Sequence, residues 1–170
     1  MAETSIAGPA IIAALKLADI EFIVAVPDIT TSQGLLWPIA RGDDFRLVRL
    51  CKEDEGVSVC AGLAVTGHRA VLLIQHTGLL DSINAIRGIA CEQAQPICML
   101  VGLLGKEPNL PARQSQSFGL TIVEPILDAM GIANFCIEGA PGIALLPAAI
   151  ERAYASSRPM AALIGQTVSP

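Results

Sequence analysis

Charged side chains are scarce in this sequence. They make up 16% of its 170 residues, against about 25% in typical soluble domains, while 52% are hydrophobic. Mean hydropathy is +0.57. So little polar residue cannot cover a monomer's surface, which leaves a membrane protein or a subunit buried by partners. Long hydrophobic runs are lacking too: no apolar stretch approaches the ~20 residues that a spanning helix needs. Glu3 and Lys16 break up the N-terminal apolar stretch, so it does not read as a signal peptide. The balance favours an oligomeric, cytoplasmic protein rather than a membrane protein. Basic clusters are missing and the net charge is −5, which argues against nucleic acid or an anionic membrane as partner. The five cysteines, Cys51, Cys60, Cys91, Cys98 and Cys136, are odd in number and form no C-x-x-C pair. They read as small buried hydrophobes in a reducing compartment, not as a disulfide frame or a zinc site. His68 and His76 are the only histidines, and no H-E-x-x-H or other metal-ligand spacing occurs, so no metal site is expected on this chain. There is no G-x-G-x-x-G after the first strand, no G-x-x-x-x-G-K-[ST] and no nucleophile elbow. These absences argue against a dinucleotide enzyme, an ATP enzyme and a serine or cysteine hydrolase.

What is present is alternation of helix and strand. Helical spacing marks 7–18, 31–40, 53–66, 79–93, 121–130 and 146–155; apolar or β-branched runs mark strands at 21–26, 45–50, 69–75, 96–103, 134–138 and 160–168. Arg69 to Gln75, RAVLLIQ, is continuously apolar in its middle, as in a parallel strand covered on both faces. Between 105 and 119 the sequence reads as a long polar loop. Repeated α-β units require right-handed crossovers and parallel strands. The expected fold is therefore a single domain over residues 1–170, an α/β/α sandwich around a six-stranded parallel sheet. Ligands bind such sheets at the carboxyl ends of strands, which lines up Pro27-Asp28, Leu50 to Glu53, Gln75 to Gly78 and the loop after Leu103.

The helix that follows the second of these ends is unusual. It opens with three acids, Glu53, Asp54 and Glu55, which the free N–H groups and dipole of a first helical turn favour. Glu53 falls on the stripe of Val57, Cys60 and Ala64, so it points with the apolar face; Asp54 and Glu55 point elsewhere.

Four segments in order along the chain resemble the pyrimidine-binding domain of thiamine-diphosphate-dependent 2-oxoacid decarboxylases. Val24-Ala25-Val26-Pro27-Asp28 is similar to the family's opening "GVPDS". KEDEGVSVCAGLA resembles its "E…A…AAGYA" helix, and counting back nine residues from Gly62, as the family spacing requires, lands on Glu53. Gln75-His76-Thr77-Gly78-Leu79-Leu80-Asp81-Ser82-Ile83-Asn84-Ala85 resembles the "QNSGLGNxxNAL" segment of the sulfopyruvate and phosphonopyruvate branch. Ala129-Met130-Gly131-Ile132 matches "DALGI".

The resemblance implies that Glu53 is catalytic, sharing a proton with N1′ of the cofactor's aminopyrimidine, and that Pro27, Gln75, Thr77 and Gly78 also line the cofactor. Asp28 then lies beside substrate or cofactor; on its own chemistry it equally suits a turn or a helix cap. His76, where the motif has Asn or Ser, is either a substrate donor or proton shuttle, or a polar residue at a strand end. Asn84 matches the motif, or bonds to its own helix. Arg113 either pairs with a substrate sulfonate or phosphonate, or is solvated. Trp37 reads as a packing or interface anchor. Leu80 and Asp81 depart from the motif's Gly-Asn.

The family holds the diphosphate and Mg²⁺ through a Gly-Asp-Gly segment, which this sequence lacks; Gly42-Asp43-Asp44 is the nearest. The resemblance thus implies an α subunit of a sulfopyruvate- or phosphonopyruvate-type decarboxylase. A β subunit would carry the diphosphate-binding domain and Mg²⁺, with self-association besides. A non-catalytic oligomeric module of the same fold, or a flavodoxin-like mononucleotide binder, are the alternatives from other classes.

Overall fold

The computed structural model describes residues 5–170; Glu3, which bore on the signal-peptide reading, lies outside them. The run at 69–75 forms β4 (Ala70–Gln75), flanked by β2 (Phe22–Ala25) and β5 (Cys98–Gly102). With β3 (Arg46–Arg49), β6 (Ala133–Ile137) and β7 (Met160–Ile164) they make one six-stranded, all-parallel sheet in the order β3-β2-β4-β5-β7-β6. Register is set across the centre by Leu73 opposite Leu100 and Leu100 opposite Ala162.

The period-2 alternation of side chains divides the core in two. Val71, Leu73, Cys98, Leu100 and Ala162 face one layer, where α1 (Gly8–Leu17), α2 (Trp37–Arg41) and α7 (Ala140–Ser156) pack. Leu72, Ile74, Met99, Val101 and Leu163 face the other, covered by α3 (Glu53–Val65), α4 (His76–Asp81), the segment after it, and α6 (Phe118–Ala129). Trp37 is half-buried against the first layer. All five cysteines are free; Cys60 and Cys98 are buried and Cys91 and Cys136 partly so, whereas Cys51, between β3 and α3, is exposed, against the expectation of a buried side chain. No helix among the described residues is long and apolar enough to cross a membrane.

Several elements differ from the sequence expectation. The helix expected at 31–40 opens as a π-helical stretch, Ser32–Leu36, and continues as α2 through Pro38 to Arg41. The helix expected at 79–93 starts directly at His76, with Gln75 as its N-cap, and is broken at Ser82. There the Ser82 hydroxyl donates to the Gly78 carbonyl at 2.7 Å, competing with the helical ladder. A three-residue turn α5 (Ile83–Ala85) and a π-helical stretch, Ile86–Glu92, follow. The last helix begins at Ala140 rather than 146, because Pro141 sits in the first turn, where a missing N–H costs nothing. The last strand ends at Ile164; the chain then turns into β8 (Val168–Ser169), which pairs with β1 (Ile6–Ala7) in a separate two-stranded sheet.

Candidate active site at the carboxyl edge of the sheet

From β2 the chain proceeds to β3 on one side, and from β3 it crosses back to β4 on the other. The strand order reverses at β2 and β4, and a crevice opens over their carboxyl ends at such a reversal. Three of the segments expected at this edge meet there.

The first is α3. Its N-terminus is fastened by Glu55, whose Oε2 accepts from the backbone N–H groups of Cys51 at 3.2 Å and Lys52 at 3.3 Å. Asp54 is also engaged: Lys52 Nζ lies 3.2 Å from Asp54 Oδ2 and 3.1 Å from Asp81 Oδ2, tying α3 to the end of α4. Asp81, which departs from the family motif, thus has a local partner. Glu53 is different. It is half-buried at the first helical position, on the side of the buried Val57 and Cys60. Among the described residues its carboxylate makes no hydrogen bond or ion pair.

The wall against Glu53 is Gly78, in the first turn of α4. A Cβ at Gly78 would lie 2.5 Å from Glu53 Cδ, so only glycine admits the carboxylate at this position. Gln75 and Thr77 stand beside it, the Gln75 amide donating to the Thr77 hydroxyl at 2.9 Å.

The second feature is the turn after β2. Asp28 is buried, and its Oδ1 accepts from the backbone N–H groups of Thr30 at 2.7 Å and Thr31 at 3.0 Å, while the Thr31 hydroxyl donates to Oδ2. This is the turn-forming use of an aspartate. The turn closes over the end of β5: a Cβ at Gly102 would lie 2.9 Å from Asp28 Oδ1 and 3.0 Å from Thr30 Cβ.

The third is His76, 5% exposed, with its Nδ1 buried and without a hydrogen-bond partner. A Cβ at Gly119, at the start of α6, would lie 3.5 Å from its Nε2. Burial pushes the imidazole's pKa down, against the opposing pull of the Gly102 carbonyl and the Asp28 carboxylate. The Thr30 hydroxyl is likewise buried and without a partner. Two orphaned polar groups in one cleft are costly unless something satisfies them.

The lowered pKa fixes a pH dependence. The unfolded imidazole titrates near 6.5 and the folded one below it, so acidification protonates the unfolded chain first. The stability contributed by neutral His76 is complete above about pH 6.5 and is lost as pH falls below it. A series of melting curves between about pH 7 and about pH 5 is expected to show a steeper decline for the wild type than for His76→Gln; equal slopes would mean that His76 titrates normally.

Two of the expected residues are placed differently. Arg113 lies on a 3₁₀ turn in the loop after β5, with Nε donating to Glu124 Oε2 at 2.9 Å and Nη2 to Asp128, both on α6. Asn84 is exposed, and its Oδ1 accepts from Arg87 Nε at 3.2 Å and Nη2 at 3.1 Å. The side chains of both are taken up by neighbours of their own layer. Conversely, Gly102 and Gly119 shape the cleft and went unnoticed in the sequence. The signal was there in Gly102, a glycine ending an otherwise continuous apolar strand, which marks close approach of another backbone.

No family model matches the chain. Sulfopyruvate decarboxylase of Methanosarcina acetivorans is 29% identical over 127 residues, covering 74% of this chain and 32% of that protein. This chain therefore spans about a third of that relative's length. Sulfopyruvate decarboxylase subunit alpha of Methanocaldococcus jannaschii is 30% identical over 127 residues, covering 74% of this chain and 73% of that protein. Among solved structures, benzoylformate decarboxylase from Polynucleobacter necessarius superposes with a TM-score of 0.68 over 98% of this chain and 32% of its own, at 15% identity, a likeness of fold. The Methanocaldococcus alignment spans nearly three quarters of both chains at 30% identity; the chain belongs to the sulfopyruvate decarboxylase alpha-subunit family.

Proposed function

We propose that this chain is the α subunit of a heteromeric, thiamine-diphosphate-dependent decarboxylase acting on sulfopyruvate, with Glu53 holding the proton shared with the cofactor's pyrimidine. The observation that carries this reading is the Glu53 carboxylate, half-buried at a helix N-terminus, free of internal partners and pressed against a glycine. The cofactor's aminopyrimidine is a flat ring with a basic edge nitrogen, and it fits these residues. Gly78 makes room for the carboxylate itself, and the apolar stripe of α3 lies below it.

When bound, thiamine diphosphate supplies the electron sink that makes loss of CO₂ from a 2-oxo acid feasible. Glu53 would hold one proton at its carboxyl and donate it in a hydrogen bond to the basic edge nitrogen of the ring. His76 stays neutral in the cleft, with its Nδ1 unpartnered and so free to accept or return a proton. Asp28 keeps the β2 turn in shape; its oxygens are bonded within that turn. Arg113 is left out of the substrate contacts, since Glu124 and Asp128 already occupy its guanidinium.

The diphosphate and Mg²⁺ are assigned to a β subunit, which the naming of the relatives as subunit alpha supports. The exposed apolar side chains at the rim support a partner there: Ile29, beside Asp28, is 73% exposed, and Phe118, beside Gly119, is 77% exposed.

The test is reconstitution. The chain mixed with its β subunit, thiamine diphosphate and Mg²⁺ is expected to release CO₂ from sulfopyruvate faster than from phosphonopyruvate or pyruvate, and neither subunit alone is expected to do so. A stable complex inactive on every 2-oxo acid would overturn the reading in favour of a non-catalytic module.

A further inference from the structure

The strand order reverses a second time, where β7 inserts between β5 and β6. The chain leaves β5 for α6 on one face of the sheet and leaves β6 for α7 on the other. This divergence opens another crevice at the carboxyl ends, for the same reason as the first. The crevice holds a cavity of about 240 Å³, lined by Leu103, Leu110, Leu163, Cys136, Glu124 and Lys106 among others.

Lys106 is the unusual member. Lys16 and Lys52 leave 52% and 53% of their side chains exposed, whereas Lys106 leaves 1%. Burying an ammonium is costly unless it is paired. Its Nζ pairs with Glu138 and donates to the Glu107 carbonyl at 3.2 Å. An ammonium has three donors, so one is left toward the cavity.

Of the other acidic groups around it, Glu124 is held by Arg113 at 2.9 Å, and Glu107 Oε1 accepts from the Gln116 N–H at 3.0 Å while its Oε2 is buried without a partner. Burial pushes the Cys136 thiol up to about 11, so it adds no negative charge. Glu138, 45% exposed at the rim, is the one partner of Lys106 that is free to leave. Its seat depends on Gly165, where a Cβ would lie 3.1 Å from Glu138 Cγ and 3.0 Å from Cys136 Sγ.

We propose that this cavity is a binding site for a small organic carboxylate, which replaces Glu138 at Lys106 Nζ and lays its short apolar body on Leu103, Leu110 and Leu163. The exchange of one carboxylate for another keeps the buried ammonium paired throughout. The volume is below the roughly 300–1,000 Å³ of clefts that take drug-sized ligands, so the ligand is short. The site is separate from Glu53 and does not depend on the function assigned to it.

The test uses the full chain, with butyrate as probe and butyramide as its neutral counterpart. Butyrate, and not butyramide, is expected to raise the melting temperature in a concentration-dependent manner. Lys106→Met is expected to lose the response. Glu138→Gln removes the internal competitor and is expected to bind butyrate several-fold tighter. Glu53→Gln is expected to respond as the wild type does, which keeps this site distinct from the first. The proposal fails if butyrate acts on neither the wild type nor Glu138→Gln, if Lys106→Met responds undiminished, or if Glu53→Gln loses the response. Should Lys106→Met not fold, the Glu138→Gln affinity decides: tighter supports the site, and unchanged or weaker overturns it.

Discussion

Glu53→Gln is expected to lower decarboxylation by the reconstituted complex by about 10²–10⁴-fold, the range over which a positioned acid-base group contributes. Glutamine keeps the shape of the side chain and its capacity to hydrogen-bond, but it cannot hold the proton. The fold is expected to survive. Glu53 has no internal partner to lose, and Asp54 and Glu55 still face the helix dipole, so the change in stability stays below about 1 kcal/mol. Asp54→Asn, which alters a neighbouring charge paired with Lys52, is the control and is expected to leave kcat within a few-fold. The measurements are kcat of the complex and the melting temperature of the free chain. Activity of Glu53→Gln close to the wild type would remove Glu53 from the chemistry.

Gly78→Ala is the second large effect, and it separates activity from stability. The new methyl would occupy the space of Glu53 Cγ, Cδ and Oε1. A flexible carboxylate yields more easily than a backbone, so Glu53 swings away and the helices stay. Alanine in α4 gains about 0.8–1.0 kcal/mol of helix propensity over glycine, which offsets much of the 1–3 kcal/mol or so that overpacking costs. The melting temperature is therefore expected to move little. Activity of the complex is expected to fall by about 10²-fold, the scale of a misplacement of about 1 Å at a catalytic group. A variant that melts like the wild type but no longer turns over would show that Gly78 acts by positioning Glu53. Retained activity would show that the carboxylate has another seat.

Much of the architecture was legible because the buried strands are long, apolar and bounded by turns. Ala70–Gln75 and Cys98–Gly102 have nearly every side chain covered, and no helix of their length has that pattern. Boundaries failed where one residue type serves two purposes. Pro141 and Gly142 read as a loop, yet proline in a first helical turn is a starter. Gly78 masked the beginning of α4, because glycine is poor in a helix interior and its reason for being there is the carboxylate across from it. β1 and β8 have two residues each, too few to show any period.

The position of Glu53 could be read from spacing along one helix, since a helix fixes which residues share a face. The surroundings could not. Whether Arg113 meets a substrate or Glu124 and Asp128 depends on how a long loop folds back on α6. No local rule would have buried Lys106, a lysine beside a glutamate in a polar loop.

The insertion of β7 between β5 and β6 also has a consequence for the growing polypeptide. As the chain emerges from the ribosome, β2, β3, β4 and β5 can join in turn, each finding its neighbour already made. β6 cannot, because its only partner in the sheet is β7, which is synthesised later. Until Ile164 has been made, β5 presents an open edge of five residues, all of which are buried in the finished sheet. Such an edge invites pairing with another nascent copy. The interval in which this subunit is exposed to misassembly thus runs from the making of β5 to the making of β7. A chaperone that shields apolar edges would be needed most while α6, β6 and α7 are being translated.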